Sequence, residues 1–473
     1  MEADNEMNIP IDESNTVQTD AGVKGGQNKC PKCGATDISL NVNTGLLRCN
    51  FCRHEFEPEK VADSETNLSQ LEGTVIGSGA QDIIAGTDEV LTFKCGSCAA
   101  EVVIDTAEAT QARCHWCRNT LSINQQVPNG AVPDVVLPFG IKKDDAKGEI
   151  EKFVSKRKFF AHPTFKKEFS TENVMGVYLP YMVVDINAHA NLAGQGEHEV
   201  RRYTRGSGKD KETFYDADLY DVEREFDIVV NGLTVESSAD KLDNKARNKT
   251  NNIINSIMPF DIENSVKWNA NYLKGYTSEK RDTNVENLKG LVNAQAKDIT
   301  RYKANETLKI YDRGVAWHKE ELDVKGERWK AAYFPVWLYS YHQKNKNLLH
   351  YVAVNARTKE TMGSIPIHMP KLLFISAIVE VVGFILWLAT MPFFVFEDND
   401  DNYSWVFLTL GFIFYALMYM RYRNKGARHY HEKETKSTMD NLRKEDVFVT
   451  TRTGLRKSRM EGANNTSVRG SAF

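Results

Sequence analysis

Residues 372–396 read LLFISAIVEVVGFILWLATMPFFVF, and residues 404–420 read SWVFLTLGFIFYALMYM. A bilayer core of about 30 Å requires about 20 mostly apolar helical residues. The first run exceeds that length. The second reaches it when Tyr403 is counted and the helix tilts or the bilayer thins locally. Core helices of soluble proteins rarely run so long without a polar face. The two runs therefore predict a transmembrane helical hairpin with spans at 372–396 and 403–420. The link EDNDDNY, Glu397 to Tyr403, is acidic and carries no Lys or Arg. Lys371 precedes the first run, and Arg421, Arg423, Lys425 and Arg428 follow the second. The positive-inside rule then puts both termini in the cytoplasm and the acidic turn outside. Glu380 interrupts the first run. An ionised carboxylate there costs about 2.5–3.5 kcal/mol on insertion scales, so it is expected to be neutral, paired or turned toward another helix. Pro392 is expected to kink or end the helix near the outer face.

The chain has 473 residues, enough for several domains, with 60 Lys+Arg against 64 Asp+Glu. Charge is unevenly placed. Residues 1–28 carry Glu2, Asp4, Glu6, Asp12, Glu13 and Asp20, lack periodicity, and read as a disordered acidic lead. The start, MEADNEMNIP, has no apolar run, so no secretory signal is expected. Residues 421–473 form a basic tail, expected in the cytoplasm, whose first part would lie at the inner leaflet. His429-Tyr-His431 within it offers two metal donors without a third.

All eight cysteines stand before residue 118, as four CxxC pairs. Cys30 and Cys33 are followed after fifteen residues by Cys49 and Cys52; Cys95 and Cys98 are followed after fifteen by Cys114 and Cys117. The spacing is an internal repeat with an offset of 65 residues. Each CxxC puts two thiolates on one tight turn, and two turns make a tetrahedral four-sulfur cage. In a reducing compartment such pairs point to metal rather than disulfides. The reading is two zinc ribbons, at 29–58 and 93–124, each holding one structural Zn2+. Four sulfurs fill a tetrahedral ion and leave no position for water, so neither site is catalytic. His115, inside the second knuckle, is expected to be a turn residue. The stretches Ile38–Val42 and Glu101–Asp105 read as short strands.

Zinc ribbons often touch nucleic acid, which needs a basic face. The first ribbon sets Lys29, Lys32, Arg48 and Arg53 against Asp37 and Glu55; the second sets Lys94, Arg113 and Arg118 against Glu101, Asp105 and Glu108. Neither makes a strongly basic face, and the segment at 59–92 reads as an acidic linker. Protein contact is favoured, with a membrane-tethered nucleic-acid-binding protein as the alternative.

Residues 135–367 read as an α+β cytoplasmic domain. Asp145 to Phe160 and Val285 to Tyr302 carry apolar residues at helical spacing. Val177–Asp185 and segments within 214–236 read as strands, with Asn231-Gly232 as a hairpin turn. Ala332–Tyr341, Leu349–Arg357 and Met362–Ile367 read as an antiparallel meander. VYLPYM at 177–182 is echoed by AYFPVW at 332–337, as two copies of one duplicated element would be, with chance similarity as the alternative. His162, His189, His198, His318, His342 and His350 stand in no catalytic spacing, and no nucleophile elbow or dinucleotide glycine pattern is present. Gly206-Ser-Gly-Lys209 fails as a phosphate loop, because Asp210 stands where Ser or Thr should hold magnesium. No enzymatic activity is expected.

The ribbons, Leu137-Pro-Phe139, GVYLPYMVVD at 176–185, NNIINSIMPFD at 251–261 and PVWLYSY at 335–341 ahead of the apolar hairpin together resemble a bacterial family. It comprises tandem zinc-ribbon, two-span membrane proteins of the YdjG type, often labelled TFIIB-type zinc-ribbon proteins. The resemblance covers about residues 30–420. It implies a membrane-anchored adaptor in the bacterial cytoplasmic membrane. The partners it implies are phage-shock (PspA-type) coat proteins and SPFH-type membrane proteins in an envelope-stress module.

Overall fold

The computed structural model describes residues 30–33, 35, 38–57, 67–77, 79–80, 90–94, 101–105, 112–113, 120–121, 126–127, 133–205, 212–238, 257–268, 270–273, 275–279, 281–343, 348–395, 404–423, 430–446 and 454–459. The acidic lead at 1–28, the glycine piece at 206–209 and the whole of the link at 397–403 lie outside them.

The first cysteine set is accompanied by strands β1 (Ile38–Asn41), β2 (Leu46–Cys49) and β3 (Glu55–Phe56), followed by β4 (Gly73–Ile76). Around the second set stand β5 (Val90–Lys94), β6 (Glu101–Asp105), β7 (Ala112–Arg113) and β8 (Thr120–Leu121), then β9 (Gln126–Val127). The head continues with β10 (Val135–Val136), β11 (Met175–Arg205), β12 (Glu212–Glu236), β13 (Val266–Lys267) and β14 (Thr277–Glu279). It closes with β15 (Val315–Gln343), β16 (Leu348–Asn355) and β17 (Thr361–Gly363); β18 (Lys436–Asp446) and β19 (Gly454–Arg459) come from the tail. The helices are α1 (Lys143–Ser155), α2 (Pro163–Glu168), α3 (Val285–Glu306), α4 (Met369–Val395), α5 (Leu410–Arg423) and α6 (His431–Glu434).

The fold is α+β and mostly sheet. Three strands dominate it: β11, β12 and β15, of 31, 25 and 29 residues. They pair antiparallel with β11 in the middle. At about 3.3 Å per residue, β11 spans ~100 Å if straight. Its first part, VYLPYMVVD, is apolar on both faces and buried on both, as a continuous run requires. Farther out the pattern alternates. Ile186, Ala188, Ala190 and Leu192 face the apolar stripe of α3 (Val285, Leu288, Val292, Ala296, Ile299), while Asn187, His189 and Asn191 occupy the other side.

The echoed segments meet. Tyr178 pairs with Pro335, Leu179 with Phe334, and Pro180 with Tyr333. Superposing the two copies exchanges the outer pairs and leaves Leu179–Phe334 on a local two-fold axis. The flanks obey the same relation. Short β14 runs parallel to β11 at Val177 and Tyr178, and short β10 runs parallel to β15 at the equivalent Ala332 and Tyr333. A helix follows each short strand, α1 after β10 and α3 after β14. The centre of the head is thus two copies of one strand–helix–strand unit.

One expectation changes. Asn231-Gly232 is not a hairpin turn but a bulge inside β12. The β11–β12 register slips between Val184 and Ile186, Gly232 takes φ +73°, and its N–H donates to Asp185 Oδ1 at 2.9 Å. Asp185 is itself buried and accepts from Arg328 Nε (2.9 Å) and Nη2 (2.7 Å). This buried partner stabilises the chain running straight on. Part of the segment read as an acidic linker joins the sheet. Its β4 runs parallel to β15 at Gly326–Trp329, and Asn187 Nδ2 donates to the carbonyls of Ser69 and Leu71, both at 3.0 Å. Part of the basic tail joins it as well. β18 and β19 pair antiparallel along β12, whose edge carries Asp216, Asp218, Asp221, Glu223, Glu225 and Asp227. An uncovered edge would leave ladder groups unpaired, and Arg443 Nη1 lies 3.4 Å from Glu225 Oε1 across this pairing.

Among the described residues one helix is long and apolar enough to cross a membrane: Met369–Thr390 has mean hydropathy 2.5, with 17% of its most apolar stretch buried. The second apolar run differs from expectation. It begins as a six-residue 3-10 turn, Ser404–Thr409, and only then becomes α5, of 14 residues. The two elements pack side by side. A Cβ on Gly383 would run into the Phe407 carbonyl, and one on Gly411 would lie 2.7 Å from the Glu380 Cβ, so small residues bring the backbones together. Glu380 does turn toward the second element, where its Oε2 accepts from the Gly411 N–H at 2.8 Å. That N–H belongs to the first turn of α5, which has no partner within its own helix.

Candidate metal centre

Two tight turns build the centre. In the first, the Cys30 N–H donates to the Ala35 carbonyl at 2.8 Å, folding Cys30 and Cys33 together. In the second, β2 ends at Cys49 and the chain reverses into β3. Arg53 N–H donates to the Cys49 carbonyl (2.8 Å), Cys49 N–H to that of His54 (2.9 Å), and Cys52 N–H to Cys49 Sγ (3.5 Å). Arg53 takes φ +59°, the left-handed conformation that closes such a turn.

These turns bring the Sγ atoms of Cys30, Cys33, Cys49 and Cys52 within 4.8 Å of one another, so the four could hold a metal ion. Cys30 Sγ lies 3.5 Å from Cys52 Sγ, and Cys33 Sγ 3.6 Å from Cys49 Sγ. Four sulfurs at about 2.3 Å from a tetrahedral zinc ion stand ~3.8 Å apart, so the donor set fits. Cys30 and Cys49 are buried, Cys52 half-buried and Cys33 exposed. Burial raises the Cys30 thiol, but N–H bonds from Cys33 and Lys32 outweigh it and bring it down to about 7. The Ala35 backbone lowers Cys33, yet desolvation and the crowding thiols of Cys52, Cys49 and Cys30 push it up to about 12. One thiolate forms readily and the next resists, which is how a four-sulfur set behaves until a cation neutralises it.

The unit is docked on the head. Ile38 and Leu47 are fully buried in one apolar cluster with Val174, Tyr272 and Leu273, with Leu40, Val42 and Phe56 packed against it. A cleft of about 390 Å³ runs beneath, between Ser39 and Leu40 on one side and Tyr272, Tyr276 and Trp337 on the other. Phe51, between Cys49 and Cys52, does not line this cleft and is 82% exposed.

Cys95, Cys98, Cys114, Cys117 and His115 lie outside the described residues, but strands on both sides of them do not. Lys94 pairs with Glu101 across the first knuckle, and Arg113 with Thr120 across the second. In the first set Leu47 pairs with Phe56 and Arg48 with Glu55; in the second Ala112 pairs with Leu121 and Arg113 with Thr120. Each pair is displaced by 65 residues, the cysteine repeat. The β5–β6 hairpin joins the main sheet through Val102 and Val103 on β14.

Four of the described histidines hold structure. His162 and His368 accept from the first-turn N–H groups of Thr164 (3.3 Å) and Lys371 (3.2 Å) at the starts of α2 and α4. His350 bridges Ser364 and Gln343, and His431 lies 3.2 Å from Asp298. The docking of the cysteine unit and the exposure of Phe51 were not anticipated from sequence. The only signal was the aromatic residue inside the second CxxC.

No protein-family model matches the chain, and no curated protein and no solved structure is similar to it.

Proposed function

We propose that the protein is a membrane-anchored zinc-ribbon adaptor that recruits cytosolic proteins to the inner face of the bacterial cytoplasmic membrane. Both ribbons hold structural zinc, which suits four thiolates better than other divalent ions do. The shared register of the two β-pairs at an offset of 65 residues supports the second cage. The apolar helices form a two-span anchor with both termini inside. Partners of the PspA and SPFH type follow from the family resemblance alone.

The observation that carries the reading is Phe51. A closed four-sulfur cage has no catalytic position. It holds a turn rigid, and at the tip of that turn stands a bare aromatic ring, 82% exposed. Rigid aromatic anchors dominate protein interfaces.

Capture of the tagged full-length protein from gently solubilised membranes tests this, with and without nuclease. Wild type is expected to retain a PspA-type or SPFH-type protein in both conditions. Phe51→Ala, which alters stability by about 0.5 kcal/mol or less at an exposed site, should weaken capture by about 2 kcal/mol, roughly 30-fold in Kd. Undiminished capture by Phe51→Ala would rule out the knuckle as the anchor. A catch that vanishes with nuclease would make the tethered nucleic-acid reading the better one.

A further inference from the structure

Where the apolar helices leave the head, cations gather without carboxylates. The connection between α1 and α2 reads Lys156-Arg157-Lys158-Phe159-Phe160 and folds against both helix ends. Arg157 Nε donates to the Arg421 carbonyl at the end of α5 (3.1 Å), and its Nη1 to that of Phe153 (3.0 Å). The Phe160 N–H donates to the Tyr422 hydroxyl (3.1 Å), and the His368 N–H to the Phe160 carbonyl (2.8 Å). Lys371, in the first turn of α4, lies 3.7 Å over the Phe159 ring and donates to the Phe159 carbonyl at 3.0 Å. Lys166 Nζ reaches the same carbonyl at 3.4 Å.

The cations disturb one another. Burial holds the Lys166 ammonium below its ordinary value, and Lys371 and Lys158 push it lower. Burial, then Arg421, does the same to Arg157. Among the described residues no ion pair joins Arg157, Lys158, Lys166, Lys371 or Arg421 to a carboxylate. In most of the head the pattern is the reverse, with Arg301 on Glu320, Arg357 on Asp261 and Arg328 on Asp185. Phe159 is 59% exposed beside the cluster, and Tyr415 and Tyr419 stack on the neighbouring half of α5.

We propose that Lys158, Lys166, Lys371 and Arg421, with Phe159 as an apolar wedge, form a docking surface for anionic phospholipid headgroups of the leaflet where α4 begins and α5 ends. The inference rests on the membrane-anchored reading above. The cluster lies at the helix ends, at the level of the headgroups. Its uncompensated charge matches theirs, and an exposed aromatic beside cations is the composition of an interfacial anchor. The N-terminus of a helix as long as α4 adds positive potential on the same side. The head is then not hung from its anchor but seated on the lipid, which sets the height at which Phe51 is offered.

The test uses the full-length protein in phosphatidylcholine vesicles containing trace spin-labelled phosphatidylglycerol or phosphatidylcholine. The readout is the relative association of the two labelled lipids from the motionally restricted fraction. Wild type should prefer phosphatidylglycerol, and added salt should reduce the preference. The variant K158Q/K166Q/K371Q, which removes three of the four cations, should lose most of it, and K158R/K166R/K371R should keep it. Unchanged preference in the glutamine variant overturns the headgroup surface and leaves an acidic protein as the occupant. Equal loss in both variants overturns it as well, because packing rather than charge was then responsible. Each sample is first washed with alkaline carbonate. Release of wild type by that wash overturns the anchoring reading itself, and the proposal with it.

Discussion

Serine at both Cys30 and Cys33 removes one knuckle of the metal centre and should unfold the unit while the head stays folded. The described stretch from 38 to 57 is about twenty residues, and ordering it costs ~30 kcal/mol at about 1.5 kcal/mol each. Against that stand five apolar side chains. Ile38 and Leu47 are fully buried, and Leu40, Val42 and Phe56 partly so. At about 1.5–3 kcal/mol for full burial they contribute ~11 kcal/mol together. The β1–β2–β3 ladder and the turn bonds add on the order of 8 kcal/mol, at about 1 kcal/mol net for each. The shortfall, ~11 kcal/mol, is close to the ~10–16 kcal/mol that a structural zinc ion supplies. Docking alone therefore cannot keep the unit folded. Elemental analysis should show one zinc ion fewer per chain than wild type. Hydrogen exchange should show β1 and β2 fully open, with β11, β15 and α3 as protected as before. Membrane insertion should be unaffected. If β1 and β2 keep wild-type protection after the zinc is lost, the metal is not what holds the unit together.

Asp185→Ala removes the acceptor of both the Arg328 guanidinium and the Gly232 N–H. Breaking one side of a buried pair costs about 3–5 kcal/mol; a loss under ~1 kcal/mol in chemical denaturation would show that the bulge does not need it. Gly411→Leu must push into the Ser376 carbonyl and Glu380. Overpacking of about 1–3 kcal/mol should lower the thermal midpoint of the solubilised protein, and an unchanged midpoint would mean that the two apolar elements do not pack as described. Acid should free the tail. The Asp227 carboxyl is held well below its usual range by hydrogen bonds from Lys325, Asn441 of β18 and His189. The stabilisation from such a depressed group is complete above its unfolded pKa of about 4 and is lost as pH falls toward the folded value. Exchange of β18 amides, corrected for intrinsic rates, should therefore accelerate below about pH 4 in wild type. Asp227→Asn should already exchange faster at neutral pH and respond little to acid; identical profiles for the two would exclude this link.

The first metal set was legible because its geometry is local. Two CxxC turns and a short hairpin place four sulfurs whatever surrounds them, and the described cluster joins the four cysteines that the spacing pairs. The apolar run at 372–396 was legible for a similar reason, since length and composition alone decide whether a helix can cross a bilayer. In the head, α3 and the 349–357 strand stand where the pattern puts them, while α1 stops at Ser155, short of Phe160, and β17 ends at Gly363, short of Ile367. The strand lengths did not follow. Asn231-Gly232 has the composition of a tight turn, and nothing local reveals that Asp185, some 46 residues away in the chain, stabilises a bulge there instead.

Sequence by itself therefore determined the first cysteine cluster, the long apolar helix and the echoed strand segments, because each is encoded by neighbours within a turn, a helix or a short repeat. Only the tertiary structure decided that the duplicated segments pair with each other about Leu179 and Phe334. It also decided that the cysteine unit is docked through Ile38 and Leu47, that the tail covers the β12 edge, and that Glu380 meets Gly411. Those contacts join residues far apart in the chain. Their free energy comes from surfaces that exist only after the sheet has formed, and no local pattern of residues carries that information.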